Sequence, residues 1–305
     1  MVAIYCKGSE DMKGSSKLVP YLFIGPSLIL LTLFSLLPIL LALVISFTDM
    51  DLAGLVDYAN ISFTGLNNYV NVLTDPAFHT AMLNTLFYVI VGVPLVLLLS
   101  LTVAILINMG ESKLFQSFRV IYYIPSVTNV VAVAVIWSYL YNPSLGLFNY
   151  VLGQVEMDPV GWLTSNPTLA KIALILLAVW RGIGLNMIIF LAAIKGIAKT
   201  YYEAAELDGA NLWQQIWYIT LPQLRFGIFF VSITTMIGWL QFFEEPFVMT
   251  QGGPLDGTTS AALFIYQNGF QYSKFGYAAA GSFVLFFAII TITLIQFRLQ
   301  NKEEA

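Results

Sequence analysis

Charge is scarce in this chain of 305 residues: 10% are Asp, Glu, Lys or Arg, while 58% are hydrophobic. An ordinary soluble domain is about a quarter charged, so composition alone excludes that class. Lys and Arg number 13 against 17 Asp and Glu, a net charge of −4, which leaves no basic footprint for nucleic acid. Cysteine is nearly absent. The single residue, Cys6, rules out an intrachain disulfide and offers no metal-ligand spacing. The single histidine, His79, has no second histidine for a zinc pair and is expected as a solvated loop residue after Asp75-Pro76. No Gly-Lys dipeptide occurs, so a phosphate-cradling P-loop is excluded, and neither a GxSxG nor an HExxH hydrolase motif is present.

Long apolar runs are abundant. About 20 residues at a 1.5 Å rise match roughly 30 Å of hydrocarbon. Six runs reach that length, near 20–46, 82–107, 120–141, 169–194, 226–249 and 276–297. Lipid offers the backbone no water to bond, so each run is predicted to be helical, giving an all-α integral membrane protein of six transmembrane helices. The first run follows Lys7, Lys13 and Lys17 but is too long for a signal peptide and is expected to be retained.

Lys and Arg are held on the cytoplasmic side during insertion. Lys7, Lys13, Lys17, Lys113, Arg119, Lys195, Lys199, Arg225, Arg298 and Lys302 fall on one side. The opposite loops, 48–80, 142–168 and 250–275, contain only Lys274. Both termini are therefore expected in the cytoplasm, with 1–17 and 299–305 as short tails around a membrane domain at 18–298. Asp49, Asp51, Asp57, Asp75, Glu156, Asp158 and Asp256, with turn formers between aromatic residues, predict folded outer caps.

The cytoplasmic loop at about 195–222 has unusual content. Lys199, Glu203 and Glu206 share one helical face, and Ala204 and Leu207 another. Gly209 is suited to end that helix in the left-handed conformation. Asn211 and Gln214 form a capping-box pattern for a second helix with Leu212, Ile216 and Ile219 as its apolar stripe. Pro222 is expected to discourage helix through Leu221. Trp213, Trp217 and Tyr218 would also suit an amphipathic pair resting on lipid headgroups.

The pattern Glu203-Ala204-Ala205, Gly209, Ile219 and Leu221-Pro222 resembles the EAA loop of binding-protein-dependent ABC importer permeases. Phe243 to Pro254, then Thr258, Tyr266 and the 276–281 segment, are similar to the end of sugar-type permeases of the maltose and glycerol-phosphate group. Asn84-Thr85 and Tyr123-Ile124-Pro125 are similar to the same subfamily. Ala198 departs from the proline often found before the EAA segment, and the large outer insertion of the maltose-type subunit is missing. The resemblance covers nearly the whole chain from residue 18.

It implies a permease subunit in the cytoplasmic membrane of a bacterium or archaeon. Its partners would be a second homologous permease, a cytoplasmic ATPase dimer and an extracytoplasmic solute-binding protein. No cofactor would be bound by this chain, and ATP and Mg would be used by the ATPase. Glu203, Ala204, Ala205, Asp208 and Gly209 would couple to that ATPase. The cargo would be a carbohydrate, with glycerol phosphate or a polyol as the competing class and an ion-coupled secondary transporter as the more distant alternative.

Ionisable groups inside spans face a bundle interior or an aqueous cavity. Arg181 lies near the middle of the fourth run, and Glu244 and Glu245 in the outer part of the fifth. Either one carboxylate pairs with Arg181 and orients two helices, or these groups meet cargo. Asn129, Asn186 and Gln241 are further candidates for bonding sugar hydroxyls, and Trp180, Phe242 or Phe243 for a stacking face.

Overall fold

A computed structural model describes residues 19–110 and 113–302. Cys6, Lys7, Lys13, Lys17 and the rest of the 1–17 tail, and residues 303–305, lie outside the described residues. Among the described residues, four helices are long and apolar enough to cross a membrane: Tyr21–Ser46, Pro76–Met109, Pro167–Lys195 and Phe275–Gln300. Two bent pairs, Ser117–Val127 with Val130–Leu140 and Leu212–Gln223 with Arg225–Leu240, raise the number to six when each pair is one span. These are called the first to sixth spans in chain order. The sixth helix runs on to Lys302, so most of the expected C-terminal tail continues the span.

The third span is not one straight crossing of 120–141. It bends by 97° at Thr128 and Asn129, where the Asn129 side chain accepts from Val131 N–H at 2.9 Å and Ala132 N–H at 3.2 Å. A side chain that caps a new helix breaks the old one. The fifth span likewise stops at Leu240, well short of 249. Gln241 N–H bonds Gly238 O and Phe242 N–H bonds Trp239 O, tightening the last turn and turning the chain. A separate π turn, Pro246–Thr250, follows. His79 is exposed but helical, in the first turns of Pro76–Met109, with Nε2 2.7 Å from Leu73 O. Asp75 caps that helix and Pro76 starts it, which recruits residues expected as loop.

Pro222 does not end its helix. A π turn, Ile216–Thr220, precedes Leu221-Pro222, and Leu221 N–H bonds Ile216 O. The first span solves the same problem identically, with π turn Thr32–Leu36 before Leu37-Pro38 and Leu37 N–H bonded to Thr32 O. One extra residue per turn makes room for a ring that would otherwise clash with a carbonyl of the preceding turn.

The second, fourth and fifth spans make the core, with Tyr88, Val96, Leu174, Met187, Phe190 and Val231 fully buried between them. The connections after the first and third spans are folded caps. Asp51 caps Leu52–Val56, and Asn149 pins the 142–162 connection by bonding Val160 in both directions and accepting from Trp162 Nε1.

Candidate functional site

Spans two to five line an open cavity of about 500 Å³. Arg181, Asn186, Glu244 and Glu245 all line it, together with Thr234, Thr235 and the apolar Trp239 and Phe242. Arg181 Nη1 donates to Glu245 Oε1 at 2.7 Å, with Glu245 almost fully buried and Arg181 partly exposed. Of the two carboxylates, Glu245 is therefore the partner. Glu244 is exposed and lines the same cavity. Asn186 Nδ2 donates to Thr235 Oγ1 at 3.2 Å, joining the fourth and fifth spans.

Two close approaches place Arg181. Ser126 Oγ, from the third span, donates to Arg181 O at 2.5 Å and accepts from Leu185 N–H at 3.1 Å, seating a hydroxyl on one rung of the fourth helix. Gly184 allows this, since a Cβ there would meet the Tyr122 carbonyl oxygen and the Ser126 hydroxyl. Ser126 was not singled out by the sequence, where a serine inside an apolar run has no distinctive spacing.

Other sequence candidates stand elsewhere. Asn129 caps the second arm of the third span with its Oδ1, and neither it nor Gln241, an exposed residue at the end of the fifth span, lines the cavity. Trp180 packs on Trp137 at 5.5 Å and Phe243 stacks on Phe247 at 5.2 Å, both away from the cavity. Phe242 does line it, stacked on Trp239 at 5.2 Å with ring planes 8° apart.

Asn84 and Thr85 act on the connection that follows the fifth span. Asn84 Nδ2 donates to Asp256 O and Thr259 O, Thr85 Oγ1 accepts from Ala261 N–H, and Tyr88 OH donates to Thr258 O. One helix face thus holds the loop that follows Gly252. Lys171 joins it, donating to Asn84 Oδ1 at 3.0 Å and lying 4.9 Å from the Phe87 ring centroid. A count of basic residues in loops passes over Lys171, because it sits inside the fourth span.

At the opposite end, Lys199–Leu207 forms the expected first loop helix. Gly209 follows at φ +80°, and Asn211 and Gln214 make both bonds of a capping box. Glu203, Ala204, Asp208 and Gly209 are exposed, Ala205 is half-buried, and Leu207 is 91% exposed. Tyr202 OH lies 3.0 Å from Thr220 Oγ1, latching this helix to the first arm of the bent fifth span.

Residues 77–303 match the family described as binding-protein-dependent transport system inner membrane component. The chain is 33% identical over 282 residues to the lactose transport system permease protein LacF of Rhizobium radiobacter, covering 91% of this chain and 92% of that one. It is 32% identical over 302 residues to the arabinooligosaccharides transport system permease protein AraP of Bacillus subtilis, covering 97% and 92%. Among solved structures, a chain of a bacterial ABC transporter involved in import of the acidic polysaccharide alginate matches with a TM-score of 0.80 at 25% identity, covering 93% and 95%. The same kind of transporter in complex with an alginate pentasaccharide-bound periplasmic protein matches with a TM-score of 0.75, also at 25% identity and covering 93% and 94%. With its bent spans, intramembrane ion pair and capped loop helix, this chain belongs to the family of inner membrane components of binding-protein-dependent transport systems.

Proposed function

We propose that the chain forms half of a carbohydrate pathway in an ABC importer, paired with a second, homologous permease and driven by a separate ATPase dimer that uses ATP and Mg. The observation that carries this reading is the loop device. Leu207, 91% exposed, stands beside exposed Ala204 and Glu203 on a short helix ended by Gly209 at φ +80°, and this exposed face is the surface assigned to the ATPase. Glu203 makes a charged contact to the ATPase, Ala204 and Ala205 allow close packing, and Gly209 sets the turn. The outer caps receive a solute-binding protein, and both termini lie in the cytoplasm.

Cargo passes the Arg181 cavity, whose mixed apolar and hydroxyl-bonding lining suits sugar rings. The relatives named for lactose, arabinooligosaccharides and alginate support carbohydrate over glycerol phosphate or an ion-driven mechanism. Closure of the ATPase dimer moves the loop helix, and the Tyr202–Thr220 latch passes that motion to the fifth span.

The test is uptake into vesicles with ion gradients collapsed, comparing wild type with Gly209→Asp. Wild type should take up sugar only with ATP. The variant should insert normally and still hydrolyse ATP, yet lose transport at least tenfold, because a side chain at φ +80° strains the turn. Full transport by the variant would contradict the coupling assignment.

A further inference from the structure

The cavity carries an unbalanced charge. Its lining includes one cation, Arg181, and two carboxylates, Glu244 and Glu245. The pair at 2.7 Å engages Arg181 with Glu245, and Glu244 is left exposed with no ion pair or hydrogen bond among the described residues. The remaining walls are neutral. They offer Asn186, Thr234 and Thr235 to hydroxyl groups, beside the stacked rings of Trp239 and Phe242.

We propose that Glu244 gives this cavity a negative potential that admits neutral carbohydrate and repels anionic sugars such as uronates and sugar phosphates. The proposal deepens the carbohydrate reading and rests on it. Binding a carboxylate or phosphate is favoured by a cation whose charge is uncompensated, and the cavity's single guanidinium, although its Nε is unpaired, already has its charge matched by Glu245 through the Nη1 bond. An anion entering the cavity instead meets a surplus carboxylate between apolar walls, where a field is screened less than in bulk water. The alginate transporter matched above is involved in import of an acidic polysaccharide, so the proposal has the two chains share a fold and differ in the charge of their cargo.

The test uses the full chain in membranes of cells that make the whole transporter. Cys6 is the sole cysteine, so Cys6→Ser with Thr234→Cys puts one thiol on the cavity wall. Rates of modification are measured with a cationic trimethylammonium-ethyl methanethiosulfonate and an anionic sulfonato-ethyl methanethiosulfonate. Adding Glu244→Gln should lower the cation-to-anion rate ratio about fourfold, the combined effect on a cation and an anion of one unit charge across about 10 Å of water. An unchanged ratio overturns the proposal.

The same cells, with the native chain, are offered a mixture of maltodextrins, arabinooligosaccharides and oligogalacturonates, and internalised sugars are identified by mass spectrometry. Only neutral species should enter, and oligogalacturonate carried in by this transporter overturns the proposal. A shifted ratio with no sugar internalised supports the potential and counts against the carbohydrate reading, so the two failures are distinguishable.

Discussion

The Arg181–Glu245 pair joins the fourth span to the segment beyond the fifth, and its energetics follow from how little water reaches Glu245. Removing one partner of a buried pair strands the other charge, at about 3 kcal/mol or more, whereas replacing both with apolar side chains is often neutral. Arg181→Ala should therefore lower the thermal midpoint of the detergent-solubilised assembly by several degrees. The double variant Arg181→Met with Glu245→Leu should recover most of that loss. Equal midpoints for wild type and Arg181→Ala would mean that the pair contributes nothing. At this scale the sequence was informative about which residues are costly in lipid, and less so about who meets whom. Glu244 and Glu245 are adjacent, so a one-residue rotation decides which reaches Arg181. Asn129 and Asn186 are the same residue type in similar surroundings, yet one caps a helix and the other faces the cavity. That difference depends on a bend that apolar periodicity does not encode.

Helices were legible as spans because hydrocarbon length and hydropathy impose them, and the loop helix because caps and glycine have local chemistry. Breaks within spans were not, since the Asn129 cap and the tightened turn after Leu240 sit in apolar sequence with no distinctive spacing, while π turns carry the helix through prolines expected to stop it. Gly184 shows how tight these contacts are. Gly184→Val would drive a side chain into the backbone of the third span at Tyr122, and overpacking of this kind costs about 1–3 kcal/mol. The variant should expose the Ser126 region to faster hydrogen exchange while leaving the Lys199–Leu207 helix unchanged. Unaltered exchange near Ser126 would show that the two spans do not meet there. By contrast, Asn211→Ala should loosen only the loop, costing about 1 kcal/mol through its lost cap. Protease nicking confined to 207–215, with an undisturbed core, is the expected readout.

Across the whole molecule, acidic caps gather at one end and Arg119, Lys195, Lys199, Arg225 and Arg298 at the other, as the alternation of spans requires. In a Cys6→Ser background, Asp158→Cys should react with a membrane-impermeant thiol reagent added to intact cells, and Glu206→Cys only after lysis. The reverse pattern would invert the assigned orientation.

The bend between Leu212–Gln223 and Arg225–Leu240 measures 66°, and Leu224 at its corner is 1% exposed. Twelve residues on one side and sixteen on the other make arms of about 18 Å and about 24 Å at helical rise. A stiff crank of these proportions, with its fulcrum packed in the core, turns a nudge at the short end into a sideways swing about a third larger at the long end. A push of about 2 Å on the short arm of such a crank would sweep Leu240 through a distance comparable to a hydrogen bond's length.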